Sequence, residues 1–307
     1  GELWSQMRFL MPGLLGSGEV FRKTFRTPIE RNQDSQAQTA LNRRVSPLIL
    51  RRTKDQVATE LPPKTEINHS IPLHKAQVDL YETVRAAMDQ RIRDVIAEKG
   101  LAKSHIIVLD ALLKLRQICC HPQLLKLPAA RKAKHSAKLD YLTTDLLPTL
   151  LEEGRKILLF STFTSMLALI EDHLVKQKIT FAKITGSTTK RQDQIDRFQN
   201  GHADVFLISL KAGGTGLNLT AADTVIHYDP WWNPAAENQA TDRAHRIGQT
   251  KPVFVHKLIC EDTIEQRIQD LQAKKAALVE ALLTDDTSRL KIDQSTLNNL
   301  LAPLPGA

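Results

Sequence analysis

The sequence predicts an α/β chain, a parallel sheet with helices on both faces, joined to an N-terminal α-helical subdomain. Three features carry that expectation. After Ser136, short β-rich runs alternate with amphipathic helical stretches at regular intervals. The runs are continuously apolar, as in strands covered on both faces, which implies right-handed crossovers between parallel neighbours. Before Ser136, apolar residues recur at helical spacing between turn signals. With 307 residues, 42% of them apolar, the chain has length for two or more units and enough apolar surface for packed cores.

Residues 1–60 read as helical and irregular, with turn signals at Met11-Pro-Gly-Leu-Leu-Gly-Ser-Gly18 and basic clusters at Arg22-Lys23-x-x-Arg26 and Arg51-Arg52-x-Lys54. Leu61-Pro62-Pro63-Lys64 breaks any helix, because consecutive prolines remove donors and disfavour the αR conformation before them. A linker is therefore expected over 61–73. From 74 to 130 the pattern is helical again, with Val78, Tyr81, Val84 and Met88 on one face and Leu109, Leu112, Leu113 and Leu115 through Ile118 on another, so two long helices should pack as a hairpin. Arg131-Lys132-x-Lys134 follows Pro128 and reads as a second exposed linker.

Strands are expected at Lys156–Phe160, Phe181–Ile184, Val205–Ser209, Thr224–Tyr228 and Val253–Leu258, all within a unit spanning 131–260. Helices fall at about 165–177, 188–200 and 234–246 between them. A last helix, Thr263 to Leu283, opens a C-terminal stretch over 261–307 and could pack back against the core.

The formal charge is +8, with the excess in the first 150 residues and the remainder close to neutral. A basic first half favours an anionic partner, of which nucleic acid is the commonest large one. Cys119, Cys120 and Cys260 are the three cysteines, which suits a reducing compartment better than a disulfide framework. Adjacent Cys119 and Cys120 lack the spacing by which two thiolates grip one zinc, so no metal site is expected there; the pair reads as small residues at a helix end stopped by Pro122. No segment approaches the roughly 18 apolar residues of a membrane span, and the N-terminus has no signal-peptide pattern, so an intracellular protein with no membrane partner is expected.

In a parallel sheet, functional groups gather at the carboxyl ends of the strands. Those ends carry Ser161-Thr162-Phe163-Thr164-Ser165, Thr185-Gly186-Ser187-Thr188-Thr189 and Leu210-Lys211-Ala212-Gly213-Gly214-Thr215-Gly216. Each is an ordinary helix cap taken singly; together, hydroxyls and exposed helix N–H groups on one rim could follow the phosphates of a nucleic-acid strand. Lys190, Arg191 and Lys211 add charge to that rim. The glycine loop fails as a dinucleotide fingerprint, because Leu219 stands at the third glycine position. The ATP-loop pattern G-x-x-x-x-G-K-S/T does not occur, and no Asp-Glu pair suited to magnesium is present, so the chain has no complete ATP site of its own.

At helical pitch, Gln239, Arg243 and Arg246 share one face while Ala240, Ala244 and Ile247 share another. Two arginine forks on one face suit a phosphate or carboxylate, with a solvated surface and an Asp242–Arg246 pair as the competing interpretation.

The motifs KILLFSTFTSML (156–167), ITGSTTKRQDQIDRF (184–198), VFLISLKAGGTGLNLTAADTVIHYDPWWNP (205–234) and QATDRAHRIGQ (239–249), in that order, resemble the second lobe of Swi/Snf-type ATPases of helicase superfamily two. ELWSQMRFLMPGLLG (2–16), LILRRTKDQVATELPPKTE (48–66) and LLKLRQICCHPQLL (112–125) resemble the family's helical insertions and interlobe connection. The resemblance implies a RecA-like sheet and a part in ATP-driven movement along double-stranded DNA. It implies that Arg246, with Arg243, reaches ATP held with Mg2+ by a first lobe, and that Gln239 positions them. Gly214, Gly216 and Asp223 match the motif coupling the nucleotide side to the DNA side. Ser161, Thr162, Ser187, Ser209 and Lys211 match positions facing the DNA backbone, and Trp232 resembles a family tryptophan near the groove. The partners implied are double-stranded DNA and the N-terminal RecA-like lobe of the same protein, whose phosphate loop and magnesium carboxylates this chain lacks. Location would then be cytoplasm or nucleoid in a prokaryote and nucleus in a eukaryote. A non-enzymatic nucleic-acid-binding or partner-docking module, and the corresponding lobe of an RNA helicase, are the alternatives.

Overall fold

The computed structural model describes residues 2–32, 34–49, 61–100, 104–128, 130, 133–213, 216–282 and 294–305. It divides into two compact units, Gly1–Glu60 and Leu61–Ala307. The first is helical, with α1 (Glu2–Leu10), α2 (Gly18–Phe21), α3 (Thr27–Asn32) and α4 (Ser35–Val45), and a π-helical turn at Arg22–Arg26 joins α2 to α3. Asp34 caps α4 by accepting from the Gln36 and Ala37 amides at 2.9 and 3.0 Å, which satisfies two donors that the helix itself leaves open. Met7, Leu15, Phe21, Phe25 and Val45 form a small core of its own. The Arg51-Arg52-x-Lys54 cluster lies outside the described residues, as do Arg131 and Lys132.

The second unit is built on six parallel strands in the order β1-β6-β5-β2-β4-β3. They are β1 (Lys64–Ile71), β2 (Ile157–Ser161), β3 (Phe181–Ile184), β4 (Val205–Ser209), β5 (Thr224–His227) and β6 (Val253–Cys260). Strands β2, β4 and β5 are buried at every residue, as their unbroken apolar runs require. Alternate residues supply two cores. Ile157, Leu159, Val205, Leu207 and Ile226 face one side with Leu146, Leu147, Met166, Leu167 and Ile170. Leu158, Phe160, Phe206, Ile208 and Val225 face the other with Phe198, Ala212, Ala240 and Ala244.

The helices follow from this division. On the first side lie α7 (Ala137–Tyr141), α8 (Leu147–Glu152) and α9 (Thr164–Lys176); on the second, α10 (Arg191–Gln199), α11 (Leu210–Gly213) and α12 (Pro234–Thr241). The helical hairpin is α5 (Lys75–Lys99) with α6 (His105–Cys120); Cys119 and Cys120 end α6, and His121 leaves it in extended conformation ahead of Pro122. Placing a helix over 188–200 overreached at its start, because Lys190 is the N-cap and the residues before it form a turn.

One expectation changes. The stretch 61–73, expected as a linker, contains β1, which pairs along its whole length with β6 from Lys64↔Val253 to Ile71↔Cys260. Its sequence hides the strand, because an edge strand exposed along most of its length carries Lys64, Thr65, Glu66 and Asn68 with little apolar signal. The chain after 260 packs back on the helical hairpin. Ile264 and Ile268 of α13 (Ile264–Leu282), and Leu297, Leu300 and Leu301 of α14 (Gln294–Leu300) with its following turn, share one core with Tyr81, Leu112, Leu115 and Ile118 of the hairpin.

A buried ion pair joins these parts. Lys138 of α7 donates to Glu265 of α13 at 2.5 Å, with both side chains out of water. Burial pulls the ammonium pKa down, but Glu265 together with Cys260, Cys120 and Cys119 outweighs it, and Lys138 stays charged well above its usual range. Cys119, Cys260 and Glu265 bring ligand-type atoms within 4.8 Å of one another. Here, however, Glu265 accepts from Lys138 and from the Cys260 amide, and the Cys260 thiol, pushed up by burial, donates to the Cys119 carbonyl at 3.4 Å. That donor set fits a hydrogen-bonded core and not a metal cage. No helix among the described residues is long and apolar enough to cross a membrane.

Removing one partner leaves the other charge buried alone, so Lys138→Met should destabilise the chain by about 3–5 kcal/mol in denaturant unfolding, and the Lys138→Met/Glu265→Leu double variant should recover most of that loss. Acid should act through two buried imidazoles. His227 is pulled down to about 3, by burial first and Lys257 next, and His256 to about 4, by burial first and His69 next. Both are neutral when folded, so the unfolded chain binds more protons below the ordinary value of 6.5, and stability present above that pH should fall steadily toward pH 4. Thermal melts across that window check the trend, and His256→Gln should flatten it.

Candidate functional site

The strand-leaving corners sit on one rim because every strand runs the same way. At its centre is Asp229, immediately after β5 and Tyr228, with its carboxylate out of water. It accepts from Ser161 Oγ at 2.6 Å, from the Thr162 amide at 3.1 Å and from the Thr162 hydroxyl. Arg116 of α6 pairs with it at 3.0 Å. Ser161 is 1% exposed and Ser209 is 4% exposed, so neither hydroxyl faces outward as expected. A serine at the buried end of a central strand satisfies the protein's own acceptors before any ligand's.

The other rim residues divide by exposure. Ser187, Lys190 and Lys211 are exposed; Thr162, Arg191 and Trp232 are half-buried. Ser187 and Lys190 line an open cavity of about 610 Å³ beside β3, together with Thr185, Lys183, Gln194 and Arg197. The Thr185–Thr188 turn is set by the Thr185 amide donating to Thr188 Oγ1 at 3.0 Å and by a Thr185–Ser187 hydroxyl contact at 3.0 Å.

The second candidate group lies in the return segment between α12 and β6. Regular helix ends at Thr241, so Gln239, Arg243 and Arg246 do not share a helical face as expected. Tight turns follow, with the Arg243 amide bonded to Ala240 O, Ala244 to Thr241 O, Arg246 to Ala244 O and Gln249 to Arg246 O. Gly248, at φ 99°, takes the left-handed conformation that lets the chain reverse. Gln249 closes the segment by donating to the carbonyls of Thr220, Ala222 and Ala244 at 3.2, 2.7 and 3.1 Å.

This turn meets the loop that follows α11. The Leu219 amide donates to Arg243 O at 3.0 Å, and Arg246 Nη1 reaches Leu217 O at 3.4 Å, next to Gly216 at φ 40°. Gly214 lies outside the described residues. Asp223, expected on the same coupling motif, is 3% exposed at the amino end of β5, where it accepts from the Lys156 amide and Thr224 Oγ1 and lies 3.8 Å from Lys251. Arg243 is 9% exposed; burial lowers its pKa most, the neighbouring Arg246 lowers it further, and Asp242 opposes them. Arg246 is half-buried, and Gln239 is exposed on α12 in the wall of a shallow pocket of about 470 Å³ with Asn233, Asn238 and Asp242.

The SNF2-related domain model matches residues 1–124, and the helicase conserved C-terminal domain model matches residues 137–248. The solved SWI2/SNF2 ATPase C-terminal domain of Sulfolobus solfataricus is 31% identical, with a TM-score of 0.61 over 78% of this chain and 99% of that one. The chain belongs to the SWI2/SNF2 ATPase family. The Sulfolobus solfataricus SWI2/SNF2 ATPase core solved in complex with dsDNA is 36% identical with a TM-score of 0.64, covering 98% of this chain and 64% of that one. An uncharacterized ATP-dependent helicase of Mycoplasma pneumoniae is 38% identical over 94% of this chain and 27% of its own length. The chain spans between 27% and 33% of the length of the first curated relatives it matches.

In this SWI2/SNF2 chain the six-stranded parallel sheet is the RecA-like fold. Arg116, Asp229 and Gln249 organise this site although none is among the site residues expected from the sequence. Arg116 carried one legible signal, a cation besides Lys114 within the otherwise largely apolar stretch Leu112 to Ile118. Gln249 had a weaker one, as the polar residue that ends QATDRAHRIGQ.

Because Gln249 is 7% exposed and its amide serves three carbonyls, Gln249→Leu should lower unfolding stability by about 1–3 kcal/mol. Amide exchange should quicken in 243–249 and at Ala222 while the β2 and β4 amides keep their protection.

Proposed function

We propose that this chain is the second motor lobe of an ATP-driven translocase or remodeller of double-stranded DNA. In this proposal ATP and Mg2+ are held mainly by a first RecA-like lobe elsewhere in the complete gene product. The observation that carries it is the juxtaposition of Arg243 and Arg246 beside the Gly216–Leu217 loop, in a chain without a phosphate-loop sequence. Two neighbouring guanidinium groups repel, and a bound anion relieves that repulsion. A triphosphate fits, and when bound it supplies a phosphoryl group whose transfer develops charge that a guanidinium stabilises.

Arg246 is assigned the finger, since it is half-buried with a long contact to one carbonyl, and Arg243 braces it from the buried side. Gln239, one turn earlier and exposed, is their positioning partner. Gly216 and Asp223 lie on the connection that starts at the carboxyl end of β4 and finishes at the amino end of β5, so movement of the arginine turn reaches the rim through them. Ser187, Lys190, Lys211, Thr162, Arg191 and Trp232 are assigned the duplex-gripping surface; duplex as the ligand is supported by the Sulfolobus relative, 36% identical, solved in complex with dsDNA. Ser161 and Ser209 serve it from below, shaping the corners without touching the ligand. Alternating closed and open clefts would convert hydrolysis into steps along the duplex. An intracellular place of action goes with this proposal.

In the complete gene product, duplex DNA should stimulate ATP hydrolysis, and Arg246→Ala should reduce kcat by about 10³-fold or more. Unchanged turnover in that variant would return the chain to a non-enzymatic binding module, and stronger stimulation by single-stranded RNA than by duplex would make it an RNA helicase lobe. The chain by itself should bind duplex with an affinity that falls steeply with salt, and Lys190→Ala should reduce the slope by about 1.

A further inference from the structure

Arg116 belongs to the helical hairpin and is 2% exposed, so it touches no ligand, yet its guanidinium reaches both corners of the rim. Nη2 donates to Asp229 Oδ2 at 3.0 Å, to the Pro230 carbonyl at 2.9 Å and to Thr162 Oγ1 at 3.3 Å. The same planar group lies against Phe163 and Trp231, with its carbon 5.4 and 5.1 Å from the ring centroids. One cation therefore contacts the corner after β2 through Thr162 and Phe163, and the corner after β5 through Asp229, Pro230 and Trp231.

The second corner is fastened on its other side as well. The Trp231 amide donates to Glu237 Oε1 at 2.6 Å, in the first turn of α12. Gln272 of α13 donates to the Trp231 and Trp232 carbonyls at 2.6 and 3.0 Å. Glu237 is 2% exposed; burial raises its pKa most, and the Trp231 amide and Lys257 oppose that. Thr162 and Trp232, both half-buried at the surface, are thus spaced by groups that lie beneath them.

We propose that Arg116 is a positioning residue for duplex binding, holding Thr162 and Trp232 at one fixed spacing by ion pair, carbonyl contact and cation–π contact together. The proposal rests on the function given above and adds a residue to it. Arginine suits this place for a physical reason: a lysine ammonium can pair with Asp229, but it is a compact, strongly hydrated point charge and lacks the broad, weakly hydrated guanidinium that lies over both Phe163 and Trp231. Arg116→Lys therefore keeps the buried charge compensated while releasing the orientation of the two corners.

Two measurements test this. In the complete gene product, Arg116→Lys should raise the duplex concentration for half-maximal ATPase stimulation about 10-fold, leaving the DNA-free rate and the KM for ATP unchanged. A purely structural role would lower the DNA-free rate and the melting temperature in parallel, and that result, or an unchanged half-saturating concentration, overturns the proposal. In this chain without DNA or nucleotide, the same variant should speed amide exchange of Phe163, Trp231 and Trp232 by about 10-fold, with β4 and α9 unaffected. Equal exchange in the two proteins also overturns it. This second arm holds even if duplex fails to stimulate the wild-type protein, a result that would refute the proposed function by itself. Should Arg116→Lys not fold, Trp231→Leu removes one aromatic face and keeps the ion pair, and it should shift the half-saturating duplex concentration in the same direction, by about 3-fold.

Discussion

A carboxylate withdrawn from water must be surrounded by donors, and the carboxyl-terminal rim is arranged around that demand at Asp229. Ser161, Thr162 and Arg116 supply the donors, from the end of β2, from the corner beyond it and from the helical hairpin. Meeting one buried charge in this way fixes how the hairpin sits on the sheet. It also fixes the order of the two corners and withdraws Ser161 from the surface. Lys138 and Glu265 solve the same problem where α7 meets α13, so the helical layer is joined to the sheet at two buried ion pairs as well as through its apolar core.

The two candidate surfaces lie on different parts of the same connections. The rim gathers where strands end, while the arginine turn forms where the chain returns from α12 toward the amino end of β6. The segment between β4 and β5 passes both, leaving the rim at Ser209, meeting the arginine turn at Leu217 and Leu219, and entering β5 after Asp223. Gln249 joins that segment to the turn through carbonyls on each. Such an arrangement allows a change at one surface to be felt at the other through covalent and hydrogen-bonded neighbours.

What was legible in the sequence was legible for local reasons. Val205–Ser209 stands where its continuous apolar run placed it, because a central strand is specified by its own residues, and the edge strand Phe181–Ile184 was legible from Phe181, Ala182 and Ile184. The helix expected over 234–246 stops at Thr241, because the Leu219 amide takes the Arg243 carbonyl and the Gln249 side chain takes that of Ala244, and such partners outweigh helical propensity. Strand β1 went unseen because its partner is nearly two hundred residues away and its exposed residues need no apolar pattern. The sequence beyond Leu283 carried no signal for a similar reason, since Leu297, Leu300 and Leu301 acquire meaning only once Tyr81 and Leu115 are beside them.

The sequence by itself determined the architecture and the family: periodicity of 2 or 3.6 is written in neighbouring residues, and motif order needs no contact to be read. Which polar side chains are spent inside the protein and which remain at its surface was decided only by tertiary structure. Ser161 and Ser187 look alike as hydroxyls after strands, yet one is sealed against Asp229 and the other faces solvent. The difference comes from burial and from partners distant in the chain. Arg116, 113 residues from Asp229, acquires its role only when folding brings the two together.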